Sequence, residues 1–265
     1  MTFARRTIAA DCMFEGLGLH SGAPVRAVVR PGERGIRFRL GSRIIEAVPE
    51  NVTDTARCTS LGGVATIEHL MSALAGLEVT DAEVEIEGPE LPGLDGSSQV
   101  YVQEMLRVGL ESLGESEIPT LYERLFIQEP RWKIALGSGT GHWRYVFETG
   151  PWPGTQAYES PQVHRDYPAE LAPARTFVLE SELEQVRSMG LGRGLDESSA
   201  LVLGSHGYLN EERFHDEPAR HKLSDAIGDI YLAGAPIRFL NFCGERSGHT
   251  GNVRMAALVR QALLR

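Results

Sequence analysis

The fold of this chain is predicted from residues 220–229, which read RHKLSDAIGD. The apolar residues of this stretch have the spacing of one helix face, and a proline at position 218 suits a helix start. His221 and Asp225 are four residues apart, so on a helix their Cβ atoms lie about 5–6 Å from each other. An imidazole and a carboxylate placed in this way either share a metal ion or form an ordinary hydrogen bond on a surface helix. The segment alone leaves both interpretations open.

Composition predicts a soluble globular protein and argues against two classes of partner. The chain has 265 residues, of which 42% are hydrophobic and 23% charged, enough for one large domain or two smaller ones. Its net charge of −10 disfavours nucleic acid and an anionic membrane surface as partners. An anionic substrate would therefore need a local basic cluster, for which Arg175, Arg220 and Lys222 are the candidates.

The cysteines and the N-terminal residues indicate a cytoplasmic protein. Cys12, Cys58 and Cys243 form no CxxC pair and are odd in number, so reduced thiols are expected. Residues 7–15 include an aspartate and lack the apolar core of a signal peptide. No run of the sequence reaches the length of a membrane span. We therefore expect no stable membrane insertion.

The first half of the chain has the pattern of a mixed α/β unit. Strands are predicted at 2–10, 23–29, 35–40, 43–48 and 82–87, and helices at 66–76 and 100–110. Thr66 can cap the first of these helices and Gly76 can end it. The glycine-rich run 16–22 predicts a tight turn, in which His20 is expected to form a turn hydrogen bond rather than bind a ligand.

A second α/β unit is predicted after residues 113–119, where a glycine, several charges and a proline are typical of a linker. The domains would span 1–114 and 119–265. Further strands are predicted at 125–128, 132–136, 142–147, 174–179, 200–203 and 236–242. Helices are predicted at 181–189 and from about 252, with 149–171 irregular and 244–248 a loop.

The two halves share a short pattern. When His69 is aligned with His221, a serine and a glycine also coincide in HLMSALAG and HKLSDAIG. This suggests two related units, each presenting a histidine from the start of an equivalent helix. Ligand pockets commonly form at the interface between such units.

Residues from both halves together have the chemistry of a catalytic metal site. His69, His221 and Asp225 offer three nitrogen or oxygen ligands and leave a fourth position open, the pattern of catalytic zinc. Glu68 lies beside a ligand in a mostly apolar helix, where a carboxylate is costly unless it is paired or linked to a metal. The alternative is a His69 satisfied by a backbone carbonyl and a solvent-facing Glu68. His249 stands in a glycine-flanked segment where its side chain could face a ligand.

These motifs, taken together and in order, resemble the zinc-dependent UDP-3-O-acyl-N-acetylglucosamine deacetylases of lipid A biosynthesis. The resemblance covers residues 5–258. It is carried by Gly18–Gly22 (GLHSG), residues 65–76 with Glu68 and His69, residues 89–97 with Asp95-Gly96-Ser97, residues 174–177 (ARTF), residues 220–229, and Ser247-Gly248-His249. It implies an α+β fold of two similar two-layer sandwich domains with the active site at their interface.

The resemblance also implies roles for individual residues. His69, His221 and Asp225 would bind Zn²⁺, although Fe²⁺ accepts the same ligands. Glu68 would be the general base. His249, oriented by Asp229, would be the positively charged partner that stabilises the oxyanion and helps the amine to leave.

The remaining implied roles concern the substrate, a UDP-amino sugar with a fatty acyl chain. Thr176 would donate a hydrogen bond to the tetrahedral intermediate, Lys222 would contact the sugar and phosphate side, and Phe177 the hexosamine. Residues 174–203 would be an insert that forms a hydrophobic passage for the acyl chain. Its apolar residues Leu183, Val186, Met189, Leu191 and Leu195 suit this role and suit an ordinary core face equally well. Cys58 is expected near the site, and a monomer is expected.

The sequence departs from the family pattern only on the substrate side. Residues 150–154 read GPWPG where the family has an aromatic-X-His-Pro turn, Arg193 stands where a small residue is usual, and Ala56-Arg57 precede Cys58. Two other functions therefore stay open. One is a zinc N-deacylase acting on another acylated amino-sugar nucleotide, and the other is a non-catalytic sugar-nucleotide binding protein, which would need neither Glu68 nor His249.

Overall fold

The computed structural model describes residues 1–150 and 152–265, and the described part is a mixture of strands and helices. In chain order the strands are β1 (Thr2–Ile8), β2 (Cys12–Leu17), β3 (Pro24–Pro31), β4 (Ile36–Leu40), β5 (Arg43–Glu46), β6 (Val52–Asp54), β7 (Ser60–Leu61), β8 (Ala82–Glu87), β9 (Leu110–Glu117), β10 (Leu125–Gln128), β11 (Lys133–Ser138), β12 (Trp143–Glu148), β13 (Thr155–Ser160), β14 (Phe177–Leu179), β15 (Leu201–Leu203) and β16 (Leu240–Glu245). The α-helices are α1 (Glu68–Gly76), α2 (Gln99–Val108), α3 (Val163–Glu170), α4 (Leu183–Ser188), α5 (Glu217–Tyr231) and α6 (His249–Leu263). Short 3₁₀ helices cover Pro49–Asn51, Glu180–Glu182 and Ile237–Phe239.

Two five-stranded sheets with the same topology organise the fold. The first has the order β2-β3-β8-β4-β5 and the second β10-β11-β16-β12-β13. In each sheet the late strand, β8 or β16, enters beside the third strand of its unit and runs parallel to it, while the other pairs are antiparallel. The predicted α+β class with two similar units is confirmed.

Each sheet buries one face against helices, as the alternation of its residues predicts. In β8 the side chains of Ala82, Val84 and Ile86 are buried and the intervening glutamates are not. In β12 the buried residues Trp143, Tyr145 and Phe147 alternate with partly or fully exposed ones. Because successive side chains point to opposite faces of a strand, this pattern places one face of each sheet on the core.

Helices α1 and α5 pack against each other at the centre of the molecule, and Ser72, Ser224 and Gly228 lie in their contact. The Ser72 hydroxyl donates to the Ser224 carbonyl at 2.7 Å. A Cβ atom on Gly228 would stand 2.1 Å from the Glu68 carbonyl oxygen, so only glycine permits this approach of the two backbones. A Cβ on Gly76 would likewise collide with the Tyr167 ring. The shared serines therefore mark two helices that meet closely, whereas Gly76 faces Tyr167 of α3.

Several sequence predictions about the elements were wrong. Residues 113–119 are not an irregular linker, because β9 continues to Glu117 and pairs antiparallel with β1. Strand β2 was missed, and residues 149–171 contain β13 and α3. The altered segment 150–154 includes Pro151, which lies outside the described residues. The domain boundary between 114 and 119 stays a prediction.

Two helix starts also differ from the prediction. Thr66 does not cap α1: it has a left-handed backbone (φ 60°), and Ile67 is the N-cap residue. The C-terminal helix begins at His249 rather than near residue 252, with Gly248 as its N-cap. Among residues 1–150 and 152–265, no helix combines the length and apolar character needed to cross a membrane.

Candidate metal centre and active site

Three side chains from α1 and α5 converge at the start of these central helices. His69 is the second residue of α1, and His221 and Asp225 face the same direction one turn apart on α5. One ligand atom from each residue lies within 4.8 Å of the other two, and all three residues are buried. The Asp225 Oδ1 atom is 3.4 Å from His221 Nε2 and 3.7 Å from His69 Nε2.

The donor atoms of this cluster suit a metal ion. The buried Oδ1 atom of Asp225 has no hydrogen-bond partner in the part of the chain that the structure describes, while Oδ2 accepts from Lys222 Nζ at 2.9 Å. His221 Nδ1 lies 3.0 Å from the Ala174 carbonyl oxygen, which can only accept, so Nδ1 carries the proton. The lone pair of His221 is therefore on Nε2, toward the cluster. An unpaired carboxylate oxygen facing two imidazoles is the arrangement that a divalent cation completes.

The charge states of the three groups agree with a ligand role. Burial, together with the nearby His221, lowers the pKa of His69 to about 3. Burial also lowers the pKa of His221. Burial alone would raise the pKa of Asp225, but His221 and Lys222 outweigh it and lower that pKa. Neutral imidazoles and an ionised carboxylate are the forms that bind a metal.

Glu68, the first residue of α1, lies next to this cluster and is buried. Its Oε2 atom accepts a hydrogen bond from the Thr59 backbone N–H at 3.0 Å, and its Oε1 atom is 4.0 Å from His249 Nε2. Burial raises the pKa of Glu68 to about 7. A carboxyl group with such a pKa can exchange a proton near neutral pH, as a general base must.

His249 and Asp229 form a buried pair beside Glu68. His249 Nδ1 donates to Asp229 Oδ2 at 3.0 Å, and Asn252 Nδ2 donates to the same oxygen at 3.0 Å. The Thr59 hydroxyl donates to Asp229 Oδ1 at 2.5 Å. Burial opposes a charge on His249, but the attraction and hydrogen bond of Asp229 prevail and raise its pKa to about 9. His249 is thus an imidazolium at neutral pH, with Nε2 directed at the site.

The other residues singled out from the sequence fall into two places. Thr176 and Lys222 line a small cavity of about 50 Å³ together with the metal cluster, Glu68 and His249. Phe177 packs edge-on against the His221 ring, with centroids 6.0 Å apart. Cys58 is buried, and burial and the nearby Glu68 raise its pKa to about 11, so it stays a thiol.

Leu191 and Leu195 lie away from the metal cluster, in a separate cavity of about 300 Å³ within the insert. Leu183, Val186 and Val202 contribute further apolar walls. Met189 does not line this cavity and is 53% exposed. The apolar walls of this cavity suit an acyl chain, as the predicted hydrophobic passage requires.

Sequence reasoning missed four residues of the site: His20, Arg57, Thr59 and Asn252. His20 and Arg57 line the metal cavity, and Thr59 and Asn252 hold Asp229. The hydrogen bond predicted for His20 is made by its backbone N–H rather than by its Nδ1 atom. The backbone N–H of His20 donates to Glu90, while its buried Nδ1 has no partner among residues 1–150 and 152–265. Only the GLHSG motif pointed to His20, and nothing in the sequence pointed to Asn252.

All three proposed anion-binding cations are engaged in ion pairs, and that of Lys222 is with Asp225 at 2.9 Å. Arg175 is buried and pairs with Glu217 at 2.9 Å. Arg220 pairs with Asp216 and Glu170, both at 2.6 Å. Neither guanidinium is available to an anionic substrate, so only Lys222 of this set faces the cavity.

Comparisons with known proteins point to one family. A model of the family described as UDP-3-O-acyl N-acetylglycosamine deacetylase matches residues 5–261. The chain is 33% identical over 259 residues to the UDP-3-O-acyl-N-acetylglucosamine deacetylase of Aquifex aeolicus, covering 94% of this chain and 90% of that protein. It is 36% identical over 285 residues to the protein of the same name from Phenylobacterium zucineum, covering 97% and 92%. This chain belongs to the family of UDP-3-O-acyl N-acetylglycosamine deacetylases.

Proposed function

We propose that this deacetylase removes the N-acetyl group of UDP-3-O-acyl-N-acetylglucosamine with one zinc ion bound by His69, His221 and Asp225. The products are acetate and UDP-3-O-acyl-glucosamine, at the deacetylation step of lipid A biosynthesis. The observation that carries the proposal is the unpaired, buried Asp225 Oδ1 facing two neutral imidazoles. The chain acts in the cytoplasm as a monomer and meets its acylated substrate without a membrane-spanning helix.

Bound by these three residues, a zinc ion would supply a Lewis acid able to polarise a carbonyl group and to lower the pKa of water. Glu68 takes a proton from the attacking water, because its carboxyl group is buried beside the metal ligands and its pKa is raised to about 7. The Thr59 N–H holds Glu68 Oε2, so Oε1 is the oxygen that remains for the proton. General base catalysis of this kind contributes about 10²–10⁴-fold in rate.

His249 supplies positive charge and a proton on the side of the reacting carbonyl that faces away from Glu68. Its imidazolium stabilises the developing oxyanion, and Nε2 then gives its proton to the departing amine when the C–N bond breaks. Asp229 keeps the proton on Nδ1 and the positive charge on the ring. Thr176 lines the cavity, and its hydroxyl group donates a hydrogen bond to the oxyanion of the tetrahedral intermediate.

The rest of the substrate is placed by residues around the cavity. Lys222 contacts the sugar and phosphate side, and Phe177 packs on the hexosamine. The acyl chain enters the apolar cavity of the insert, against Leu191 and Leu195. Cys58 lies next to the site as a neutral thiol and contributes packing.

The test is acetate release from UDP-3-O-acyl-N-acetylglucosamine by the purified protein, after chelation, and after stoichiometric Zn²⁺ or Fe²⁺ is restored. We expect activity to be lost on chelation and recovered with zinc. Recovery only with iron(II) would assign a different metal. A chain that binds one zinc but releases no acetate would instead act on another acylated amino-sugar nucleotide, which a panel of such substrates would reveal.

A further inference from the structure

Ala174 and Thr176 both contribute to the site, but the side chain of neither residue holds it in position. The Ala174 carbonyl oxygen accepts the proton of His221 Nδ1 at 3.0 Å. The Thr176 N–H donates to the Gly96 carbonyl at 2.7 Å, and Thr176 lines the metal cavity. The position of this three-residue segment therefore sets both the orientation of a metal ligand and the place of a hydroxyl donor.

Between them, Arg175 points away from the cavity into a buried ion pair with Glu217. The two Glu217 oxygens accept from Arg175 Nε at 2.9 Å and Nη2 at 3.3 Å, and also from the Arg175 backbone N–H at 2.9 Å. Glu217 is completely buried and Arg175 is 4% exposed. A bidentate guanidinium–carboxylate pair has fixed geometry, so it fixes the backbone of residue 175 as well as its side chain.

Glu217 is the first residue of α5, the helix that carries His221 and Asp225. The ion pair thus connects residues 174–176 to the helix that carries His221 and Asp225, about one and two turns before these residues. Two further hydrogen bonds involve the same pair. Arg175 Nη2 donates to the Glu211 carbonyl at 2.6 Å, and the Arg213 N–H donates to Glu217 Oε2 at 2.7 Å. Both carboxylate oxygens of Glu217 therefore accept hydrogen bonds, from Arg175 and from the Arg213 backbone.

We propose that Arg175 and Glu217 are positioning residues of the metal centre. They hold the Ala174 carbonyl on His221 Nδ1, which keeps Nε2 directed at the metal, and they hold Thr176 in the cavity. The proposal rests on the metal role of His221 given above. Outer hydrogen-bond partners of this kind affect metal affinity or activity by about 10–100-fold when they are changed.

The neighbouring pair Asp216–Arg220 offers a matched control. Asp216 precedes Glu217, is also buried, and accepts from Arg220 Nε at 2.6 Å. Arg220 continues to Glu170 of α3 and contacts the rings of Tyr158 and Phe214, not residues 174–176. Asp216→Asn therefore removes a buried charge from the same helix turn without touching the segment that holds His221.

The experiment compares Glu217→Gln with Asp216→Asn and the wild type in three measurements. Zinc affinity is measured by competition with a chelator, cobalt(II) geometry by visible absorption of the cobalt-substituted protein, and turnover by kcat and KM. For Glu217→Gln we expect zinc affinity to fall about 10–100-fold, an altered cobalt spectrum, and a lower kcat at nearly unchanged KM. Asp216→Asn is expected to keep the zinc affinity and cobalt spectrum of the wild type, whatever its thermal stability.

The outcomes separate this proposal from the proposed function. A wild type that binds no zinc would overturn both. A wild type that binds zinc, with Glu217→Gln unchanged in affinity and spectrum, would overturn the positioning role alone, as would equal losses in Asp216→Asn. If Glu217→Gln does not fold, Arg175→Lys is measured in its place. This variant keeps the positive charge but loses the two-point contact with the Glu217 carboxylate. Wild-type zinc affinity and cobalt spectrum in Arg175→Lys would contradict the proposal.

Discussion

At the scale of single residues, the two groups proposed to move protons are both buried, but their pKa values are raised by different causes. Glu68 is buried with a raised pKa, and His249 is buried with a pKa raised by its carboxylate partner. The i,i+4 spacing on α5 was enough to predict His221 and Asp225 as neighbours. The sequence could not show that Thr59 and Asn252 hold Asp229, because these contacts join residues distant along the chain.

Replacing Asp229 by asparagine tests the origin of the His249 charge. The pKa of His249, about 9, depends on the Asp229 carboxylate, and the opposite charge is worth about 1–3 pKa units. Catalysis needs protonated His249, so in Asp229→Asn the loss of kcat/KM at high pH should begin at lower pH. The pH profile of kcat/KM measures this shift. Asn252→Ala, which removes a neutral donor but keeps the carboxylate, should shift the profile less; an unmoved alkaline limb in Asp229→Asn would contradict the assignment.

Replacing Glu68 by glutamine tests the general base. The amide oxygen can still accept from the Thr59 N–H, so the fold of α1 should persist, but the side chain can no longer take a proton. We expect kcat to fall about 10²–10⁴-fold. Bound zinc, measured by elemental analysis, should stay at one per chain because Glu68 is not among the three ligands. Activity close to that of the wild type would show that another group accepts the proton.

At the scale of elements, the sequence pattern predicted some strands to the residue and missed others. The apolar alternation of β8 gave its bounds without error, whereas β9 is largely polar and pairs with β1 through backbone hydrogen bonds that need no apolar side chain. Gly248 was predicted to belong to a loop, although it is the N-cap residue of α6. The HLMSALAG and HKLSDAIG segments did identify the two central helices.

The contact between α1 and α5 should be sensitive to one methyl group. In Gly228→Ala the added Cβ would meet the Glu68 carbonyl oxygen and the Ser72 nitrogen, which are backbone atoms that cannot rotate away. We expect the free energy of unfolding in urea to fall by about 1–3 kcal/mol, and zinc affinity to fall because the helices carry ligands on both sides of the contact. Gly207→Ala is the control, since no described atom lies within 4 Å of its Cβ. Equal free energies of unfolding for the two variants would mean that α1 and α5 can move apart without loss of stability.

At the scale of the whole molecule, the two units share one core rather than two. All nine residues of α1 are buried, and most of α5 is buried with them. One hydrophobic cluster includes Leu70 and Leu74 from the first half and Ile227 and Ile230 from the second. The three candidate metal ligands come from both halves, His69 from the first and His221 and Asp225 from the second, so the candidate site exists only when the halves are joined.

A fragment of residues 1–118 should therefore fail to fold by itself, even though it contains a complete five-stranded sheet. Without α5, the apolar surface of α1 would face water, and small domains with reduced burial are marginally stable. We expect circular dichroism to show no cooperative thermal transition for this fragment, and mixing with residues 119–265 to restore one transition and zinc binding. The full chain should unfold in a single step by every probe. A cooperative transition in the isolated fragment would mean that each unit stabilises its own core and that the central helix pair is a docking contact between two independent domains.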